Sequence, residues 1–67
     1  MPPKRLSTVI RELRRARNLS QRELGDKAEV TGAYIAQLET GVKKNPSLDI
    51  LKRLARALGV PVTELLE

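Results

Sequence analysis

The sequence predicts an all-α fold of five helices in a single domain, and three kinds of observation support this. Apolar residues recur every three or four positions in several stretches, which is the spacing of one helix face. Residues that commonly cap helix N-termini precede these stretches, at Ser20, Thr31 and Ser47. Residues that tolerate the left-handed conformation follow them, at Asn18, Gly41 and Gly59.

The chain is predicted to begin with a basic N-terminal arm, residues 1–6, which holds two prolines and two basic side chains. Residues 7–67 form the predicted domain. Its first helix is expected at Ser7–Arg17, because Leu6, Val9, Ile10 and Leu13 share helical spacing. Arg11 and Arg15 are expected on the exposed face of this helix, where Glu12 and the acids of the next helix offer surface partners.

The stretch Ser20–Gly41 predicts two short helices joined by a tight bend. Ser20 and Glu23 form a capping box, which places the first helix at Gln21–Ala28. Thr31 caps the second helix, so only Glu29 and Val30 remain to link them. A linker this short makes the helices cross at a steep angle, as in a helix-turn-helix.

The second helix, Thr31–Thr40, has one apolar face and one small, polar face. Ile35 and Leu38 share the first, and the opposite face carries Ala33, Ala36, Gln37 and Thr40. A glutamine amide can pair with an adenine edge, and an alanine methyl can contact the thymine methyl. This face therefore suits the major groove of double-stranded DNA.

The remaining chain predicts a loop and two more helices. Pro46 keeps Asn45 extended, Ser47 caps a helix at Leu48–Leu58, and Pro61 suits the first turn of a short final helix ending at Leu66.

The last two predicted helices carry more apolar surface than one small domain needs. It is either ordinary core or a homodimer contact formed by Ile50, Ala57, Val62, Leu65 and Leu66.

Composition narrows the function classes. The 13 Lys and Arg against 8 Asp and Glu give a net charge of +5, which favours a polyanionic partner. The acids Glu23, Asp26 and Glu29 would have to face away from phosphate. The chain has no cysteine or histidine, so the sequence predicts no enzyme, no metal site and no cofactor. It shows no membrane span or secretion signal, and a cytoplasmic, nucleoid-associated protein is expected.

The sequence resembles the Cro/repressor-type helix-turn-helix family, also called the XRE family. The resemblance covers nearly the whole chain, from Thr8 to Leu66. The matching residues are Gln21, Leu24, Gly25, Ala28, Val30, Ile35, Leu38, Glu39, Gly41, Asn45 to Leu48, and Leu58 to Val60. The resemblance implies a compact, lambda-repressor-like DNA-binding domain. The sequence departs from the family pattern at two positions, with Gly25 where the family usually has Ala and Glu29 where it usually has Gly. The non-glycine residue Glu29 predicts a turn that avoids positive φ.

The resemblance also implies roles for particular residues. Arg14 and Glu39 are expected to form a partly buried structural salt bridge. The residues expected to contact bases lie at the start and on the outer face of the second motif helix. They are Thr31, Gly32, Ala33, Tyr34 and Gln37. Tyr34 either reads a base or only packs on the helix flank. Phosphate contacts are expected from Gln21, Thr40, Lys43, Lys44 and Asn45.

The sequence therefore predicts a DNA-binding transcriptional regulator, specifically a repressor that binds a palindromic operator as a homodimer. The N-terminal arm is either a solvated tail or a second contact to the DNA backbone or minor groove. The alternative function is a protein-interaction module, antitoxin-like or adaptor-like, that covers a partner with the uncharged face of Ala33, Ala36 and Gln37.

Overall fold

The computed structural model describes residues 5–66, which form four α-helices and one 3-10 helix. The elements are α1 Leu6–Ala16, α2 Gln21–Ala28, α3 Gly32–Thr40, α4 Leu48–Leu58 and the 3-10 helix Val62–Leu65. Helix α2 packs against both α3 and α4, and α1 packs against α3. Together the elements enclose one core, whose buried members are Ile10, Leu24, Ala28, Ile35, Leu38, Leu51, Leu54, Ala55, Leu58 and Leu65.

Three of the four α-helices begin at the predicted caps. The Ser20 hydroxyl accepts the Glu23 N–H at 2.9 Å, and the Glu23 carboxylate accepts the Ser20 N–H at 2.9 Å. Thr31 and Ser47 cap α3 and α4 in the same way, through one hydroxyl oxygen each. These bonds satisfy amide groups that a helix start leaves without a partner, so the helix limits follow from local sequence.

All four α-helices are followed, within two residues of their last residue, by a residue in the left-handed conformation. These residues are Asn18, Glu29, Gly41 and Gly59, with φ of 56°, 61°, 85° and 70°. The expectation that the turn would avoid positive φ at Glu29 was wrong. The turn instead closes with the Val30 N–H donating to the Gly25 carbonyl at 2.9 Å, a bond that requires the left-handed residue between them.

Gly25 explains how the turn fits. A Cβ atom built on Gly25 would lie 2.7 Å from the Val30 carbonyl oxygen and 2.9 Å from the Gly32 nitrogen. Both are backbone atoms, so a side chain at position 25 would push the turn and the start of α3 away from α2. The glycine inside α2 thus permits a close approach of the two motif helices.

We expect Glu29→Gly to raise the free energy of unfolding by about 0.5 to 1 kcal/mol, because a non-glycine residue in the left-handed region costs about 1 to 2 kcal/mol and glycine recovers part of this. The Glu29 side chain is exposed, so little contact is lost. Urea unfolding measures the change. The matched control is Gly59→Ala, which introduces the same strain in open space and should destabilise. A less stable Glu29→Gly variant would contradict this account.

The C-terminal segment differs from the five-helix prediction. Its last element is one turn of 3-10 helix, in which Glu64 donates to Pro61 and Leu66 donates to Thr63. Four residues are too few to establish an α-helix, and Leu65 alone among them is buried.

Leu65 also has to be removed from the predicted dimer surface, because it is 5% exposed and belongs to the core. Ile50, Ala57 and Val62 are partly buried and pack against that core. Leu66 remains exposed. The apolar surface at this end of the domain is therefore smaller than the sequence predicts.

The predicted arm lies mostly outside the described residues, which exclude residues 1–4 and 67. Helix α1 begins at Leu6, the last residue assigned to the arm, and Arg5 precedes it as an exposed residue. Within residues 5–66, no helix is both long and apolar enough to cross a membrane.

Candidate nucleic-acid interface

The outward face of α3 exposes small and uncharged side chains. Ala33, Gln37 and Thr40 are exposed, whereas Ile35 and Leu38 on the opposite side are buried in the core. The face can therefore approach another surface closely, and its Gln37 amide offers both a hydrogen-bond donor and an acceptor.

The start of α3 lies against α2. A Cβ atom on Gly32 would be 3.0 Å from the Arg22 Cα atom, so Gly32 allows the two helices to touch. Thr31 is exposed, and its hydroxyl oxygen accepts the Tyr34 N–H at 3.0 Å while its own proton remains available to donate. Tyr34 is half-buried and packs against the core. Of the five proposed base readers, the structure thus exposes Thr31, Ala33 and Gln37 and half-buries Gly32 and Tyr34.

One acid departs from its expected place. Asp26 lines a shallow concavity on the outer surface of α2 and α3, beside Ala33 and Ala36. Arg22 and Gln21 line the same concavity. The carboxylate of Asp26 is therefore close to the outward face of α3, with a cation near it, and does not face away as the sequence analysis expected.

The loop after α3 carries three of the proposed phosphate contacts. Lys43, Lys44 and Asn45 are all exposed, and the Lys43 N–H donates to the Gln37 carbonyl at 3.1 Å. This bond fixes the loop to α3. The two lysines line a concavity together with Thr40 and Arg5, and no carboxylate is among its described lining residues. The loop, the end of α3 and the start of α1 thus form one cationic surface.

Gln21 is the proposed phosphate contact at the start of α2. Its side-chain amide donates to the Glu39 carboxylate at 3.3 Å, and the residue is half-buried. The amide is therefore already held in one orientation in the unbound protein. Thr40 is likewise oriented, since its hydroxyl donates to the Gln37 carbonyl at 3.3 Å.

Arg14 and Glu39 join α1 to the end of α3. The Arg14 Nε and Nη2 atoms donate to the two carboxylate oxygens at 2.7 and 3.0 Å, and Nη1 donates to the Leu19 carbonyl at 2.8 Å. Glu39 is only 4% exposed. The bidentate pair thus holds three segments together: α1, the loop before α2, and α3.

The pKa of Glu39 is lowered from its ordinary value by the balance of two opposing causes. Burial of the carboxylate favours the neutral form, but hydrogen bonds from Arg14 and Gln21 and the nearby charges of Arg14 and Arg11 outweigh it. The single acid of α3 is therefore ionised, neutralised by arginine and withdrawn from the outward face.

Arg11 takes a position that the sequence analysis missed. Its Nη2 atom donates to the Glu39 backbone carbonyl at 2.8 Å, and its Nε atom lies 3.9 Å from the Glu39 carboxylate. A cation bonded to the last carbonyls of a helix stabilises that helix end. The signal in the sequence was the spacing, because Arg11 and Arg14 lie one turn apart on the same side of α1.

Within the described residues, no group of histidine, cysteine or acidic side chains could hold a metal ion. The arrangement offers an uncharged helix face bordered by cations, by oriented amide and hydroxyl groups, and on the α2 side by Asp26 beside Arg22. The outward face of α3 and the cations beside it can make hydrogen bonds and ionic contacts with a large polyanion.

The comparisons with known proteins agree with this geometry. A family model described as helix-turn-helix, HTH_3, matches residues 10–65. The chain belongs to this helix-turn-helix family. Among family relatives, the transcriptional regulator DdrOP3 of Deinococcus deserti is 38% identical over 63 residues, which are 94% of this chain and 48% of that protein. The chain spans 37% to 48% of the length of the first curated relatives it matches.

Two solved structures are similar to this chain and share its all-helical fold. SinR, a master regulator for biofilm formation solved in complex with DNA, is 31% identical with a TM-score of 0.88, over 92% of this chain and 98% of that one. The P22 c2 repressor, in complex with a synthetic operator, is 26% identical with a TM-score of 0.88, over 97% of each chain.

Proposed function

We propose that this chain is a sequence-specific double-stranded DNA-binding transcriptional regulator, acting as a repressor, that reads the major groove with residues Thr31–Thr40. The observation that carries the proposal is the outward face of α3, which exposes Ala33 and Gln37 while its one acid, Glu39, is buried against Arg14. The outward face of α3 carries no exposed carboxylate of its own, and the nearby Asp26 has Arg22 beside it. The face can therefore enter a groove lined by phosphates with little like-charge repulsion.

The three exposed readers have distinct roles in this proposal. The Gln37 amide makes paired hydrogen bonds to an adenine, and the Ala33 methyl contacts a thymine methyl. Thr31 donates its hydroxyl proton to a base edge. Gly32 contributes by letting α3 lie against α2, and the half-buried Tyr34 supports the flank of the helix.

Phosphate contacts border this face on two sides. Lys43, Lys44 and Asn45 approach one strand from the loop after α3, together with Thr40. Gln21 approaches the other strand from the start of α2, where the helix N–H groups also favour an anion. Cations supply affinity for any sequence, and oriented polar groups fix the register of α3 in the groove.

One recognition helix reads only a few base pairs, so the proposal includes a homodimer on a palindromic operator. Half-sites about 34 Å apart would place both α3 helices in successive major grooves on one side of the duplex. The proposed contact is the apolar surface of Ile50, Ala57, Val62 and Leu66. The DNA-bound structures of SinR and of the P22 c2 repressor support DNA as the partner. A non-enzymatic, cytoplasmic and nucleoid-associated role is part of the same proposal.

Selection of bound sequences from a pool of random duplexes, at two salt concentrations, tests this function. The expected result is an enriched palindrome and binding that falls steeply with salt. If no sequence is enriched and binding hardly depends on salt, the function is wrong. The protein-interaction module would then be the better account of the uncharged face on α3.

A further inference from the structure

Three of the four α-helices end in the same arrangement, and the end of α3 differs from it. After each left-handed residue comes an apolar residue: Leu19, Val30, Val42 and Val60. At such helix ends the apolar residue commonly packs back onto the last turn. Leu19, Val30 and Val60 do so and are partly buried against the core, whereas Val42 is 70% exposed.

The hydrogen bonds show why Val42 differs. The Leu19, Val30 and Val60 N–H groups each donate to a carbonyl five residues earlier, at 2.9 to 3.1 Å. At the end of α3, the bond comes instead from Lys43, which donates to the Gln37 carbonyl six residues earlier. The closing bond is therefore displaced by one residue, and Val42 is left outside the closed turn and turned toward solvent.

The surroundings of Val42 indicate what would cover it. It lies between Gly41 and Lys43, in a loop bonded to the backbone of Gln37, and the segment from Gly41 to Leu48 holds two lysines and no acid. An apolar side chain flanked by cations matches a partner that presents both negative charge and apolar groups. The edge of the DNA major groove presents phosphates beside deoxyribose carbons and thymine methyl groups.

We propose that Val42 is an additional DNA contact, whose side chain packs against apolar groups of the duplex at the edge of the groove that α3 enters. This inference rests on the proposed function. The contact adds affinity through burial of apolar surface, so it is independent of the phosphate contacts of Lys43 and Lys44. If the apolar group is a thymine methyl, Val42 also adds sequence preference next to the base pairs read by Gln37.

The test compares wild type, Val42→Thr and Val42→Ile on the duplex selected by wild type, by titration at several salt concentrations. Threonine keeps the shape of valine and replaces a methyl with a hydroxyl, whereas isoleucine keeps the apolar character. We expect Val42→Thr to weaken binding about fivefold for one domain on one half-site, with an unchanged salt slope. Val42→Ile should bind within about twofold of wild type. Both variants should unfold like wild type, because the side chain is exposed.

Replacing single thymines of the selected duplex by deoxyuridine separates the two apolar groups. If removal of one thymine methyl weakens binding of wild type but not of Val42→Thr, that methyl is the contact. If no thymine behaves in this way, the contact is the deoxyribose. If wild type binds with a steep salt dependence and Val42→Thr binds equally well, the Val42 contact is overturned while the proposed function stands. A Val42→Thr variant that only dissociates a dimer in the absence of DNA would also overturn it. If wild type binds no duplex, both inferences fail.

Discussion

Replacing Arg14 by methionine is expected to lower the free energy of unfolding by about 3 to 5 kcal/mol, because it leaves the Glu39 carboxylate buried without its bidentate partner. A domain of this size has a total stability of only about 3 to 10 kcal/mol, and its Tm should fall by roughly 15 °C or more. Thermal and urea unfolding measure the loss. Arg15→Met is the matched control, since Arg15 is exposed on the same helix and should change stability by less than about 0.5 kcal/mol.

The double variant Arg14→Met with Glu39→Leu distinguishes the loss of the pair from the isolation of one charge. Replacing both members of a buried pair with apolar side chains is often neutral, so the double variant should be more stable than Arg14→Met alone. A single variant as stable as the Arg15→Met control would show that the pair does not hold α1 and α3 together.

The same pair makes stability depend on pH. Because the folded pKa of Glu39 lies below its ordinary value of 4.5, the stabilisation is present above that value and is lost as the pH falls through the lowered pKa. Between pH 7 and pH 3, wild type should therefore lose more stability than Glu39→Gln, which has no carboxylate to protonate at this position. Equal losses in the two proteins would contradict the assignment.

The second large effect is expected on DNA binding. Replacing both Lys43 and Lys44 by glutamine should weaken binding to any duplex at least about tenfold at low salt and reduce the slope of log K against log salt by about 1.8 for each domain. The matched control replaces Lys52 and Arg56 by glutamine, which removes two exposed charges from α4 instead.

Equal weakening by the loop variant and by the α4 control would mean that only net charge matters. The cationic surface beside α3 would then have no special role in binding. A reduced slope for the loop variant alone would place the phosphates next to Lys43 and Lys44 in the complex. Stability should be the same in both variants, since all four side chains are exposed.

The helix limits could be predicted from the sequence because local bonds determine them. The hydroxyl groups of Ser20, Thr31 and Ser47 each accept from the amide three residues along the chain. Gly41 and Gly59 adopt the left-handed conformation, which glycine allows at little cost. Such features depend on residues close in sequence. The four α-helices therefore lie within about one residue of their predicted limits.

Features set by tertiary contacts could not be predicted in the same way. The left-handed Glu29 depends on how closely the turn approaches Gly25, and that distance is a property of the packed motif. Arg11 finds its partner 28 residues away, at the Glu39 carbonyl. Leu65 becomes core only when the 3-10 helix packs on α4, so the sequence left open whether it belongs to the core or to a dimer contact.

The candidate site shows the same division. Amphipathicity alone identified the outward face of α3, because Ile35 and Leu38 fix which side is buried. The half-burial of Tyr34, the bond from Gln21 to Glu39 and the exposure of Val42 depend on neighbours from other elements or on the closing bond of one turn. The roles of these residues in DNA binding remain predictions.

The most direct test of the central claim, that the outward face of α3 reads bases, is sequence selection with Gln37→Ala beside wild type. We expect the variant to lose about 1 to 3 kcal/mol of discrimination at one base pair of each half-site and to keep the rest of the motif. Lys43→Gln is the control, because loss of a phosphate contact should weaken all sequences alike and leave the motif unchanged. An identical motif for wild type and Gln37→Ala, at every position, would contradict base reading by this face of α3.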